Sequence, residues 1–510
     1  MILIDRLRYL FATLLILLLA ASCTSTESES MLKDGDSVLF VGNSKVGSEG
    51  GLQNHFRRTL ARAEPPLTID TYWENMFNRA TLADMYTDEL VERITGGPDS
   101  IIVVSDGIQE EMQRFADLIG KQAKRMVLFA TWADNPFLEE NSLDEFYQLT
   151  QVRMDRAAQF GKNNDIPVVP SGLIFYDLIM YPPAYERLRP DYLFVPGSSV
   201  QNDLGTLVNV AAIYAVLTGR SPVGLPIWDP FPAELVTAIE ERVWKIVQNW
   251  QDGLIEVRPV DEYRPPEPLL DVVMDTTQAL WPPLIQDRDS ILYVGNSYIG
   301  SEGGLNNHFS RMLREVTPPM QLSTSSRIFW GQGLQNMYTE EVRKDIADED
   351  YDLVVVTSGP VEVLQQFRED IQAAGSRMMV HMTWGRNPTI NEEGMEGYRR
   401  QTEEIVAAMR EFENSTGVPV APCGLVFYDL ITNPPSFEDL RLDWVYMVEN
   451  IHQNHLGTMV NAATHYAVMT GRSPVGLPMW EPYPEALVKE IQERAWKVVQ
   501  DWKAGKVDIQ

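Results

Sequence analysis

The sequence predicts two tandem three-layer α/β domains, each a parallel sheet covered by helices on both faces. Three observations lead there: a composition near the globular average, an internal duplication of domain size, and short apolar runs alternating with longer amphipathic ones. Of 510 residues, 44% are hydrophobic and 22% charged, which excludes a fibrous or wholly disordered chain. The duplication is direct. Val38–Leu60 (VLFVGNSKVGSEGGLQNHFRRTL) returns as Ile291–Leu313 (ILYVGNSYIGSEGGLNNHFSRML), identical at 16 of 23 positions with an offset of 253. Thr218–Pro226 (TGRSPVGLP) returns unchanged at Thr470–Pro478. A unit of about 220–230 residues is too long for a stacked repeat and right for a whole domain.

Within the second copy, Ser290–Gly295, Leu353–Thr357, Met378–Thr383 and Val418–Pro422 are apolar runs suited to strands buried on both faces. Helical segments lie between and after them at Leu305–Glu315, Met395–Phe412, Gly457–Thr470 and Tyr483–Lys503. Alternation of this kind implies right-handed βαβ units. The domain boundaries read 35–256 and 286–510. A linker at 257–285 joins them, containing Pro259, Pro265, Pro266, Pro268, Pro282 and Pro283.

The N-terminus reads as a targeting segment, residues 1–22. Arg6 and Arg8 precede a 13-residue uncharged run, Tyr9–Ala21, which is too short to cross a bilayer core and suits a signal sequence. Ala20-Ala21-Ser22-Cys23 resembles the lipobox of bacterial lipoproteins, which implies lipidation at Cys23, and residues 23–34 then form a polar tether. Thr24 lacks the acidic character of inner-membrane retention, so the expected address is the bacterial cell envelope, lipid-anchored at the outer membrane. Lys plus Arg is 42 against 72 for Asp plus Glu, a formal charge of −30. No basic surplus remains to bind nucleic acid.

Chemistry in open α/β sheets collects at the carboxyl ends of strands. There the first strand of each copy ends in Gly-Asn-Ser, at Ser44 and Ser297. Serine at such a turn serves either as an exposed nucleophile or as a helix N-cap. A base is what separates the two uses, and only the second copy has one. Aligned on Gly205 and Gly457, His452 faces Val200, Glu449 faces Gly197 and His455 faces Asp203. An acid three residues before a histidine is the kind of pair that activates a hydroxyl.

A Gly-x-Ser turn after the first strand with acid-x-x-His before the last helix resembles the SGNH (GDSL-type) hydrolase superfamily. The resemblance implies a flavodoxin-like domain and a serine esterase or deacetylase acting on acylated carbohydrate or another small ester. It implies Ser297 as nucleophile, His452 as general base and Glu449 as orienting acid, with Asp the family's usual acid. It further implies an oxyanion site from Ser297, Gly331 or Gly333, and Ser358, which stands where the family has Asn. Copy 1 becomes degenerate: it keeps Ser44 but has Val200, Gly197 and, in place of the oxyanion glycine, Arg79. No cofactor or metal is expected, and the partners are the ester substrate and a membrane reached through the lipid anchor. Two other readings stay open. Glu449, His452 and His455 have the spacing of metal ligands on one helical face. Alternatively, both copies form a non-catalytic surface lipoprotein that binds glycans or partners, with Trp330, Trp384, Trp444 and Trp480 as candidate sugar platforms. His308, His381, His465 and Cys423 read as packing residues.

Overall fold

The computed structural model describes residues 30–510 except 49, 75–80, 139, 186–187, 227–228, 261–262, 264–271, 274–278, 318, 438–439, 479–480, 508 and 510. The signal segment, Cys23, most of the tether, Arg79 and Trp480 therefore lie outside the described residues.

Each copy is a five-stranded parallel sheet with helices on both faces. In copy 1 the strands are β1 (Ser37–Val41), β2 (Asp70–Glu74), β3 (Ile101–Ser105), β4 (Arg125–Phe129) and β5 (Val168–Val169), in the order β2-β1-β3-β4-β5. After the short β6 (Val272–Val273) come β7 (Ser290–Gly295), β8 (Val316–Thr317), β9 (Ser323–Ile328), β10 (Leu353–Thr357), β11 (Arg377–His381) and β12 (Val420–Ala421). The copy 2 sheet runs β9-β7-β10-β11-β12, the same order, while β6 from the linker pairs with β8. The order is that of flavodoxin-like folds, whose switch point lies between the first and third strands. β1, β3, β7 and β10 are buried along almost their whole length, which accounts for their unbroken apolar sequences.

Two predicted strands change at both ends: β11 starts at Arg377 and stops at His381, and β12 shrinks to Val420–Ala421. β9 has no apolar run because it is an edge strand, STSSRI, partly exposed along its length.

The copies pack about a pseudo-two-fold axis. Phe231 and Tyr483 are equivalent residues, and they stack on each other with centroids 4.9 Å apart and planes 7° apart. Asp203 and His455 are equivalent too, and the Asp203 carboxylate accepts the His455 N–H at 3.3 Å. Off the axis the pairs are exchanged: Arg311 meets Asp191 at 2.9 Å, and its counterpart Arg58 approaches Asp443 at 4.0 Å. Contacts between equivalent residues plus swapped pairs are the signature of an isologous interface.

This interface buries acids. Asp203, Asp229 and Glu481 are all nearly inaccessible. Burial holds the Asp229 and Glu481 carboxyls well above the carboxylate range, and the charge of Asp203 adds to the effect in both. A carboxyl whose pKa is raised on folding keeps a proton that the unfolded chain loses above about pH 4. Its stabilising contribution is therefore complete in acid and declines as pH rises through neutrality. Glu481→Gln removes that proton dependence. The expected result is a melting temperature a few degrees higher than wild type at pH 8 and little changed at pH 5, measured by thermal unfolding at both pH values.

Candidate active site

The two serine turns are built alike, and neither serine is the cap. Asn296 caps the helix Ser297–Gly300, its side-chain oxygen accepting the Tyr298 N–H at 3.1 Å, and Asn43 does the same for Lys45 at 3.1 Å. Capping is thus done by Asn, and the N-cap reading of Ser44 and Ser297 is corrected. Ser297 is the first helical residue, so its N–H has no intrahelical acceptor. A Cβ at Gly295, two residues before it, would lie 2.6 Å from Ile299 Cδ1, so any other residue there would push the Ile299 side chain aside.

His452 lies in the loop before the helix His455–Thr470, and that loop is fastened at several points. Trp384 Nε1 donates to Ile451 O at 3.1 Å and Asn387 Nδ2 to Asn450 O at 2.8 Å. Gln453 Nε2 donates to Tyr298 O at 3.2 Å, tying the loop to the residue after Ser297. The His452 imidazole meets the Tyr298 ring edge-to-face at 5.9 Å. The site histidine is therefore seated against the serine helix. Burial lowers its pKa below the ordinary value, and the Glu302 carboxylate opposes that shift. Copy 1 closes the same loop, with Val195 N–H bonded to Val200 O at 2.9 Å as Met447 N–H is to His452 O at 3.0 Å. Val200 occupies the place of His452.

Glu449 does not behave as expected. Its carboxylate is held by Arg57 and, at 3.3 Å, by Arg58, both from copy 1. Its backbone is left-handed, φ 53°, as is Gly197 at 72° in copy 1, a conformation unfavourable for a non-glycine residue. The carboxylate whose charge reaches His452 is Glu302, from the Gly-Ser-Glu-Gly-Gly segment after the serine. Sequence reasoning missed Glu302 because it is more than 140 residues from His452, and its only signal was membership of the duplicated motif.

The three-ligand helical face is also absent. His452 precedes the helix, Glu449 turns to copy 1, and the fully buried His455 pairs through Nε2 with Glu302 at 2.7 Å and lies 3.5 Å from Glu481 through Nδ1. His308 packs beside His455 and hydrogen-bonds Glu302 O.

Of the remaining oxyanion candidates, Gly331 and Gly333 lie in an exposed loop after β9, joined to the serine turn by Asn296 Nδ2 donating to Gln332 O at 3.1 Å. Ser358 is placed by Thr383: its Oγ accepts the Thr383 N–H at 3.0 Å and shares a hydrogen with Thr383 Oγ1 at 2.8 Å. With Thr383 as donor in that pair, the Ser358 proton is free to point elsewhere. Copy 1 has Asp106 at this position, accepting the Thr131 N–H at 2.9 Å and its hydroxyl at 2.6 Å. A carboxylate only accepts, so copy 1 has an acid at the position where copy 2 has a hydroxyl able to donate. Copy 1 also replaces Tyr298 by Lys45, whose ammonium donates to Trp132 O at 2.6 Å and whose pKa burial lowers to about 8. Among the tryptophans, Trp384 and Trp444 are core, while Trp330, beside Gly331, is 58% exposed.

No protein-family model matches the chain, and no curated protein matches it. Solved structures resemble it over about one copy's length. A DUF4886 family protein from Bacteroides uniformis is 17% identical with a TM-score of 0.33, covering 42% of this chain and 95% of that one. Axe2, an acetylxylan esterase from Geobacillus stearothermophilus, is 9% identical with a TM-score of 0.30, covering 38% and 97%. LAE5, an alpha/beta hydrolase enzyme from the metagenome of Lake Arreo, Spain, is 13% identical with a TM-score of 0.30, covering 36% and 97%. Likeness at this level carries no argument about activity.

Proposed function

We propose that copy 2 is a serine esterase that removes acetyl or similar small acyl groups, with acylated carbohydrate as its substrate class, on a lipoprotein anchored in the bacterial cell envelope through Cys23. One observation supports this above the others: a serine released from capping with a histidine seated against its helix, in copy 2 alone. Ser297 Oγ attacks the ester carbonyl as His452 takes its proton, giving a tetrahedral intermediate; His452 then protonates the departing alcohol as its bond to carbon breaks, leaving the acyl-enzyme. Water, deprotonated by His452, cleaves the acyl-enzyme and restores the serine. The Ser297 N–H, the Ser358 hydroxyl and Gly331 or Gly333 are the donors to the tetrahedral oxyanion. Glu302 supplies the charge that favours imidazolium; Glu449 acts as an interface residue. Labelling the mature chain with a fluorophosphonate probe tests this, and equal labelling of Ser297→Ala would overturn it.

The pH profile gives a second test. The base works neutral, and burial lowers the His452 pKa, so activity should persist below the ordinary histidine pKa of about 6.5 before falling in acid. Glu302→Gln removes the opposing carboxylate and should move the acid limb lower still, whereas Glu449→Gln should leave its midpoint in place. A limb that moves with Glu449 and not with Glu302 would return the orienting role to Glu449.

The non-catalytic surface-module reading is favoured by one feature, the engagement of Glu449 by copy 1. Absence of fluorophosphonate labelling in folded wild type would select it.

A further inference from the structure

A second constellation of copy 2 lies in the core. His381 ends β11, Cys423 opens the helix Cys423–Thr432, and His465 sits within the helix His455–Thr470. All three are 0% exposed, and one ligating atom of each lies within 4.8 Å of the others. His381 Nδ1 and His465 Nε2 are 3.0 Å apart. The Tyr293 ring stacks on His465 with centroids 6.0 Å apart. Tyr293 is itself fully buried, its hydroxyl without a hydrogen-bond partner.

Copy 1 provides an internal control. At the equivalent positions it has Phe40 for Tyr293, Phe129 for His381, Ser171 for Cys423 and Ile213 for His465. Four residues scattered over 170 positions thus differ together at one place in space, from a largely apolar set to one of two imidazoles, a thiol and a phenol. Packing does not explain the difference, because the same fold fills this space without them. Hydrogen bonding accounts for it only in part. The thiol bonds Thr464, but His381 Nε2, His465 Nδ1 and the Tyr293 hydroxyl are buried without partners. Two neutral imidazoles joined by one hydrogen bond leave one bare ring nitrogen and one unpaired N–H, each a costly thing to bury.

We propose that His381, Cys423 and His465 form a zinc site, with Tyr293 oxygen or water completing the coordination. Two imidazole nitrogens and one thiolate are a borderline-soft donor set suited to zinc. Tetrahedral bonds of about 2.0–2.3 Å put ligand atoms about 3.3–3.7 Å apart, within the range the cluster already spans. Neutral imidazole is the form that ligates, and each ring has a nitrogen without a hydrogen-bond partner. The thiol must lose its proton: zinc plus Cys423–SH gives the zinc–thiolate and one released proton, with no change of oxidation state. Enclosed on every side, the site is structural. It joins β11 to two helices behind the loop that carries His452, and it does not depend on the esterase reading.

The test uses the full mature chain, expressed with added zinc sulfate and purified without chelator. Elemental analysis after dialysis should find roughly one zinc per chain. The triple variant His381→Phe, Cys423→Ser, His465→Ile carries residues that copy 1 already packs in this space; it and Cys423→Ser alone should each retain less than about a tenth of an equivalent. Cobalt substitution should produce a thiolate-to-cobalt charge-transfer band in wild type that is lost in Cys423→Ser, a readout available even where the triple variant fails to fold. EDTA should lower the melting temperature of wild type and leave that of the triple variant unchanged. A metal-free wild type, or equal zinc in wild type and Cys423→Ser, overturns the site.

Discussion

Replacing Ser297 by alanine should reduce ester hydrolysis by about 10⁴-fold or more, and His452→Ala should do nearly the same. In the proposed mechanism the two act as one unit, since a hydroxyl is a weak nucleophile until an imidazole takes its proton, so the double variant should be scarcely worse than either single one. Ser44→Ala, the same change in copy 1, should leave turnover unaltered because Val200 stands where a base would be. The measurement is kcat/KM on p-nitrophenyl acetate, with circular dichroism to show that each variant is folded. Both serines are first helical residues behind an Asn cap, so the comparison isolates the chemistry from the fold.

Ser358→Asp should cost more than Ser358→Ala. Losing one oxyanion donor typically reduces kcat about 10²–10³-fold, which is the expected size for alanine. Aspartate leaves Thr383 satisfied, as Asp106 satisfies Thr131 in copy 1, but sets a fixed negative charge against the one developing in the transition state. The expected loss therefore exceeds that of alanine at unchanged stability. Equal activity of wild type and Ser358→Ala would remove Ser358 from the mechanism and leave the backbone donors alone in it.

These variants separate what could be read along the chain from what could not. The duplication, the buried strands and the helices after them are local or periodic features, so β7 and β10 fall on their predicted bounds. β9 escaped because an edge strand buries too little to need apolar residues. The serine turn was legible as a motif, but its capping was not. Asn and Ser are both good caps, and only the backbone decides which of two neighbours takes the position.

Read by itself, the chain establishes a doubled α/β unit with a serine in both copies and a histidine opposite it in one. Its linear spacing also suggested an acid, Glu449, and there the tertiary structure decided otherwise. Arg58 is 391 residues from Glu449, yet the pseudo-two-fold packing of the copies brings it to that carboxylate and leaves Glu302 as the charge His452 feels. The same holds for His381, Cys423 and His465, each 42 residues from the next and without a recognisable motif. Spacing reports partners only within an element or a turn. Which distant side chains share a dielectric, a proton or an ion is determined by how sheets and helices close on one another.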